Sequence, residues 1–345
     1  MLRFALIAFS ASFLFSLPML GVGNDSGSNE ATQQILKPDT SPVRAPTVQV
    51  KLERSGGTTI SNGKGETGMS CDVAVSQVKT PPQKIATSSK YLPQDAMENE
   101  RQDASHIAVF KPIWRSILEL ENIETRFGAG CAMRVLHQWA TSQALIDAAT
   151  PDAKLTRARV LAEISGLVAT WGVAGDLDRQ KPITDWLTIM ANDTMVFFDV
   201  EAGPRSARNN HRYWAALALA TVGSLTGDQN KIDWARQSYR IGVCQVTEDG
   251  TLPLEIQRGA LARNYHIYAF RPLAGTFVTF RKIGQPLDGI CSGSLERLAK
   301  AALKGVDDAT LFEAATMKQQ IKPPREDSYP AHLRLDTLKR DLQQG

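Results

Sequence analysis

The chain has 345 residues, 43% of them hydrophobic and 22% charged, with a formal net charge of +3. This is the composition of an ordinary soluble globular protein, with room for one large domain or two small ones. So small a charge excess excludes nucleic acid as an implied partner, while remaining compatible with a polyanionic substrate.

In chain order, Met1-Leu2-Arg3 supplies one positive charge and Phe4 to Leu20 is an almost unbroken apolar run. Gly21-Val22-Gly23 then offers the small residues that signal peptidase prefers, and polar Asn24-Asp25-Ser26 follows. Residues 1–23 are therefore expected to be a secretory signal peptide cleaved after Gly23, sending the protein to the periplasm or outside the cell. A membrane anchor is the weaker reading, because the run is short and lacks a basic stop-transfer flank. No membrane contact is expected after cleavage. Residues 24–69 are rich in Ser, Gly, Thr, Pro, Asn and Gln and read as a flexible lead-in. Within them only Thr47 to Leu52 alternates like a strand, isolated behind Pro46. From Cys71 to about His106 the chain stays polar and loop-like. Its Lys90-Tyr91 pair reads, on local composition, as a solvated surface pair.

After that, apolar residues recur at helical spacing. The pattern predicts helices over Pro112–Asn122, Cys131–Ala148, Pro151–Val173, Pro182–Val200, Asn210–Leu225, Asn230–Val246, Arg263–Ile283 and Cys291–Leu303. Gly227-Asp228, Asp249-Gly250 and Gly284-Gln285-Pro286 mark the breaks. A main domain over 70–318 is followed by a polar tail, 319–345, with one short helix over Leu333–Leu342. The expected fold class is all-α. Successive hairpins of this kind make an open solenoid or a closed ring, and without a fixed-period repeat the toroid with a central groove is preferred. Trp114, Trp139, Trp171, Trp186 and Trp234 sit on helical stripes and are expected in the core. His106, His137 and His332 are expected to be surface or structural.

Four cysteines, Cys71, Cys131, Cys244 and Cys291, allow three pairings in an oxidising compartment. They form no CxxC and no zinc-like spacing with histidine, so no metal site is expected.

The densest polar cluster is Arg208-Asn209-Asn210-His211-Arg212-Tyr213-Trp214, opening an Ala/Leu-rich helix. Either asparagine could be only the N-cap. A second cluster is Pro253-Leu254-Glu255-Ile256-Gln257-Arg258, followed by Asn264-Tyr265-His266. The chain has no nucleophile elbow, phosphate loop, dinucleotide fingerprint or HExxH. The clusters hold Asn, His, Arg and Tyr rather than the paired carboxylates of a glycoside hydrolase. That set suits proton abstraction beside a carboxylate. Amide and guanidinium donors neutralise the carboxylate and the enediolate-like charge, and Tyr or His moves the proton. The chemistry expected is β-elimination on a uronic-acid polymer.

Asn209-Asn210-His211-Arg212-Tyr213-Trp214-Ala215-Ala216 resembles a signature of the polysaccharide lyase family 5 alginate lyases, the poly(β-D-mannuronate) lyases. Asp249 to Glu255, then Arg258, then Tyr265-His266 resembles their second signature, and Ser89-Lys90-Tyr91 a third. The likeness runs over residues 70 to 315 and implies an incomplete α/α toroid, with no cofactor and no catalytic metal. By this resemblance Asn210 and Arg258 neutralise the carboxylate, His211 stabilises charge or acts as base, and Tyr265 is the acid. In mannuronate the proton and the leaving oxygen share one face, so a single phenol could serve as base too. Lys90 and Tyr91 would sit on a mobile lid, with Arg212, Tyr213 and His266 as further contacts or supports. The resemblance also pairs Cys71 with Cys131; Cys244 and Cys291 then remain by arithmetic. The expected partner is an anionic polysaccharide met by a monomer. The chain departs from the family at Val160, where a tryptophan platform is usual, and over Leu92-Pro93-Gln94-Asp95. Those departures keep glucuronan or another polyuronate, and a non-catalytic uronan-binding protein, as alternatives.

Overall fold

The computed structural model describes residues 70–87, 104–172 and 177–344. By contact density the chain divides into residues 1–59 and 60–345, and all described residues belong to the second unit. The signal peptide, the lead-in with its Thr47–Leu52 strand, Lys90, Tyr91 and the Leu92–Asp95 stretch lie outside the described residues.

Short polar side chains start several of the helices. Ser70 caps α1 (Cys71–Gln77), a helix within the stretch expected to be loop-like. Thr150 caps α4 (Pro151–Trp171) by accepting from the Ala153 amide, with proline at the favoured first position. Between them lie α2 (Ala104–Phe127) and α3 (Ala129–Thr141). α2 begins eight residues before the expected Pro112 start, so Pro112 is an internal residue that gives up one helical hydrogen bond. α3 stops short of the expected Ala148. Gln143 and Leu145 take positive φ values of 49° and 65°, turning the chain into β2 (Asp147–Ala148). β2 pairs in parallel with β1 (Lys84–Ile85), Lys84 opposite Asp147.

α5 (Leu177–Val196) runs into a single π turn, Phe197–Glu201, where a longer regular helix was expected. α6 (Asn210–Thr226) ends at Gly227, whose φ of 69° is the left-handed conformation glycine adopts freely. Asp228 caps α7 (Gln229–Val243) through the Asn230 and Lys231 amides. A one-turn helix, α8 (Pro253–Ile256), precedes α9 (Ala262–Lys282), α10 (Ser294–Lys304), α11 (Thr310–Thr316) and α12 (Leu335–Gln343).

α6 is the hub of the unit. It packs on α4, α5, α7 and α9, and every residue from Asn210 to Gly223 except His211 is buried. Trp139, Trp186 and Trp234 are buried as expected, while Trp114 and Trp171 are only half-buried. The segment expected to be a tail is instead part of the packing. Leu333, Leu335 and Leu338 are buried, and Arg271 on α9 reaches back to Glu326 at 2.6 Å and the Leu333 carbonyl at 2.6 Å. Its polar composition misleads because its charges pair with the domain. One disulfide, Cys71–Cys131, ties α1 to α3, and a second, Cys244–Cys291, ties the end of α7 to the loop before α10. Among the described residues no helix is long and apolar enough to cross a membrane.

Candidate active site

The two adjacent asparagines divide the work. Asn209 is the N-cap: its side chain accepts from the His211 amide at 3.1 Å. Asn210 is thereby free for another task. It is fully buried, and its backbone N–H and its Nδ2 both donate to Glu255 Oε1, each at 2.9 Å. Glu255 is the third residue of α8 and is itself fully buried. Its second oxygen lies 3.5 Å from Nε of Arg258, one turn on. The Arg258 guanidinium in turn lies over the Tyr265 ring, 4.4 Å from the centroid. Asn210, Glu255, Arg258 and Tyr265 are thus one contiguous line across α6, α8 and α9.

The segment carrying Glu255 and Arg258 is held from both sides. Upstream, the Thr247 amide donates to the Thr251 carbonyl at 3.0 Å, closing a turn at Gly250. Gly250 has φ 86°, and a Cβ there would run into the Arg297 backbone carbonyl, so only glycine fits. Downstream, His266 Nε2 accepts the Leu252 amide at 2.7 Å while Nδ1 donates to the Ala262 carbonyl at 2.7 Å. A ring with one nitrogen accepting cannot be doubly protonated. Burial agrees and pushes the His266 pKa down to about 4.

His211 is half-buried one residue beyond Asn210. Burial, and after it the Arg258 charge, lowers its pKa to about 4, with Asp152 opposing and His106 adding to the fall. At neutral pH the imidazole is therefore neutral and able to accept a proton. Burial raises the Tyr265 phenol above its usual range; Arg258 pulls the other way, and Glu255 and Asp152 add to the rise. Tyr265 therefore rests as a protonated acid. Asp152, in the first turn of α4, lies 3.0 Å from Nδ1 of His106. Burial would raise its pKa, but the His106 hydrogen bond and charge outweigh that and hold it below the usual carboxylate range.

Three of the residues expected as substrate contacts or supports are turned into the protein. Arg212 is buried, donates from Nε to Ser238 Oγ at 3.0 Å, and lies over the Trp234 ring at 4.6 Å. Tyr213 is buried and its hydroxyl donates to the Arg208 carbonyl at 2.9 Å. His266 is buried with both ring nitrogens committed, and it packs on Phe312. All three are fully engaged by the protein, because α6 and the start of α9 face the core on these sides. Conversely, the sequence reading assigned no role to Glu255 or Asp152 and placed His106 outside the site. Its place at the end of the second signature and its spacing three residues before Arg258 were the available signals for Glu255.

An aromatic cluster adjoins Tyr265. Tyr268 meets Tyr265 edge-on, with centroids 6.2 Å apart, and packs on Trp214 at 5.0 Å. Arg159 sits among Trp114, Trp214, Tyr268 and Tyr329, 4.5 to 5.6 Å from their centroids, and pairs with Glu163 at 2.7 Å. Val160, the point of departure from the family, is buried in the core. Among the described residues no group of three or more His, Cys, Asp or Glu could hold a metal ion.

An all-α hairpin unit thus carries a buried amide and carboxylate in line with a half-buried guanidinium and phenol, beside a neutral imidazole, groups able to neutralise an anion and move a proton. The alginate lyase family model matches residues 121–312, and the chain belongs to that family. It is 32% identical over 197 residues to an alginate lyase of Pseudomonas aeruginosa PAO1, covering 55% of this chain and 53% of that one. It is 38% identical over 139 residues to an alginate lyase of Cobetia marina, covering 40% and 36%. The match spans about half the length of the first of these relatives and about a third of the second. Among solved structures, alginate lyase A1-III from Sphingomonas species A1 matches with a TM-score of 0.60 and 19% identity, covering 74% of this chain and 76% of that one. A single-substitution variant of A1-III complexed with a tetrasaccharide matches with a TM-score of 0.58 and 18% identity, covering 74% and 75%. The fold is the α/α toroid of A1-III.

Proposed function

We propose that the chain is a polysaccharide lyase that cleaves β-1,4-linked mannuronate in alginate by β-elimination. The observation that carries the reading is the Asn210–Glu255–Arg258–Tyr265 line, with Arg258 stacked 4.4 Å over the Tyr265 ring. A uronate carboxylate brought to Arg258 and Asn210 has its charge neutralised, which acidifies the adjacent C5–H. His211, neutral at working pH, accepts that proton. The electron pair forms the C4–C5 double bond as the C4–O bond breaks, and the Tyr265 hydroxyl protonates the leaving oxygen. The imidazolium and phenolate then exchange protons with solvent to reset the site. The mechanism asks nothing of a metal.

Alginate is favoured over glucuronan by the family membership and by the alginate lyases the chain resembles, and mannuronate within it rests on the signature resemblance alone. A binding-only role is disfavoured because Asn210, His211, Arg258 and Tyr265 are all retained. Lys90 and Tyr91 are proposed as further contacts with the polymer, on the third signature alone. Export through residues 1–23 to the periplasm, and action as a monomer, complete the reading.

The test is ultraviolet absorbance of the mature protein with polymannuronate, polyguluronate and polyglucuronate in parallel, with a chelator present. A rise with polymannuronate supports the proposal. A rise only with another polymer moves the substrate, and no rise with any of them overturns the catalytic reading.

A further inference from the structure

We infer that Glu255 is a positioning residue for the elimination site: it fixes which way the Asn210 amide faces and holds Arg258 over Tyr265. The inference deepens the lyase reading and rests on it.

A carboxylate can only accept hydrogen bonds. The Asn210 side-chain atom 2.9 Å from Glu255 Oε1 must therefore be the nitrogen. The backbone N–H of Asn210 reaches the same oxygen at 2.9 Å and fixes it in place, and a flipped side chain would set Oδ1 against that carboxylate. Asn210 Oδ1 is left buried without a protein partner, and Nδ2 keeps one hydrogen. A buried amide oxygen without a donor is costly, and a substrate hydroxyl would relieve it. Asn210 therefore presents one donor and one acceptor in a fixed order, an arrangement imposed from behind by Glu255.

The second oxygen acts on Arg258. At 3.5 Å from Nε, an ion-pair contact without a hydrogen bond between the two atoms, it balances part of the guanidinium charge and draws that edge of the side chain toward α8. That leaves the flat face on Tyr265. Glu255 touches neither the scissile bond nor the carboxylate in this arrangement. It acts through the two groups that do.

The experiment compares wild type with Glu255→Gln, reading kcat, KM and the pH dependence of kcat on the polyuronate that wild type cleaves. The charged and titratable groups facing Tyr265 are Arg258, Glu255 and Asp152, with the Tyr268 ring against it. Removing the Glu255 charge leaves Arg258 less opposed, so the alkaline limb set by Tyr265 moves to lower pH. In Glu255→Gln the new amide can also donate to Asn210 Oδ1 and let that side chain turn over. The expected result is a kcat reduced by about 10²-fold, as for a small misplacement of a reacting group. KM stays within a few-fold of wild type. A purely structural role would lower kcat through loss of folded protein and leave the alkaline limb in place. An unchanged limb, or a kcat equal to wild type, overturns the inference. If Glu255→Gln does not fold, Glu255→Asp decides: its charge is kept but its reach is shorter, so the limb stays and kcat falls, whereas full kcat overturns the inference. Absence of product from wild type on every polyuronate is a different failure; it overturns the lyase reading, and this inference with it.

Discussion

His266 offers a sharp separation between holding the site together and touching the polymer. The perturbation is His266→Ala. The ring is fully buried, accepts the amide of Leu252, itself only 1% exposed, and rests on Phe312 with centroids 4.8 Å apart. Removing it strands a buried N–H, which costs about 1–3 kcal/mol. The vacated ring space adds a cavity term, and together the loss reaches about 3–5 kcal/mol. Against a typical total stability of about 5–15 kcal/mol this is a large fraction. The measurement is the urea unfolding midpoint, followed by kcat and KM at a temperature where the variant stays folded. The midpoint should fall steeply. Turnover should fall with it, because Leu252 leads directly into the helix bearing Glu255. An unchanged midpoint with a KM raised several-fold would refute the argument and return His266 to the substrate surface.

Tyr265→Phe should remove turnover by about 10²–10⁴-fold while a uronate oligosaccharide still binds, since only the proton-transferring hydroxyl is lost; near-normal turnover on the ultraviolet assay contradicts its role as acid. Arg258→Ala should raise KM and lower kcat, and it should also cost about 3–5 kcal/mol of stability by leaving the Glu255 carboxylate buried without its cation. A kinetic loss with an unmoved thermal midpoint would show that the pair is not coupled. Acid should destabilise the fold before the carboxylates titrate. Burial lowers His211 and His266 to about 4 and, with the Lys282 charge, His332 to about 3. Below about 6.5 the unfolded chain takes up protons that these folded imidazoles refuse. Stability is therefore full above that pH and falls by up to about 1.4 kcal/mol per pH unit for each histidine until the folded pKa is reached. Equal urea midpoints at pH 7 and pH 5 would contradict this.

The fold was legible where a helix has one apolar face and a capping residue, as at Thr150 and Asp228. It was illegible where backbone geometry decides, as at Gln143 and Leu145, whose positive φ values end α3. No periodicity records such a turn. In the site, the motif spacing located Asn210, His211, Arg258 and Tyr265, but not the direction in which their neighbours point. α6 is buried on all sides, so its sequence has no polar face from which to tell Arg212 and Tyr213 from His211. Glu255 was hidden for the opposite reason. An isolated acid in a sequence looks solvated, and only the fold shows it buried between two site residues. His106 and Asp152 are 46 residues apart, and no local pattern announces that they meet.

The Cys244–Cys291 bond has a consequence for how the proposed catalytic groups survive denaturation. It closes a ring with a sequence separation of 47 residues, and Glu255, Arg258, Tyr265 and His266 all lie inside it, whereas Asn210 and His211 lie outside. A cross-link of that span removes about 4 kcal/mol of conformational freedom from the unfolded chain. In an oxidised, unfolded molecule the guanidinium and the phenol remain confined to one small covalent circle. Rebuilding the centre then reduces to a single docking event between that circle and α6. The seam where they meet runs along the packing of α6 on α9, and at its active-site end it is closed by the two hydrogen bonds from Asn210 to one buried oxygen of Glu255.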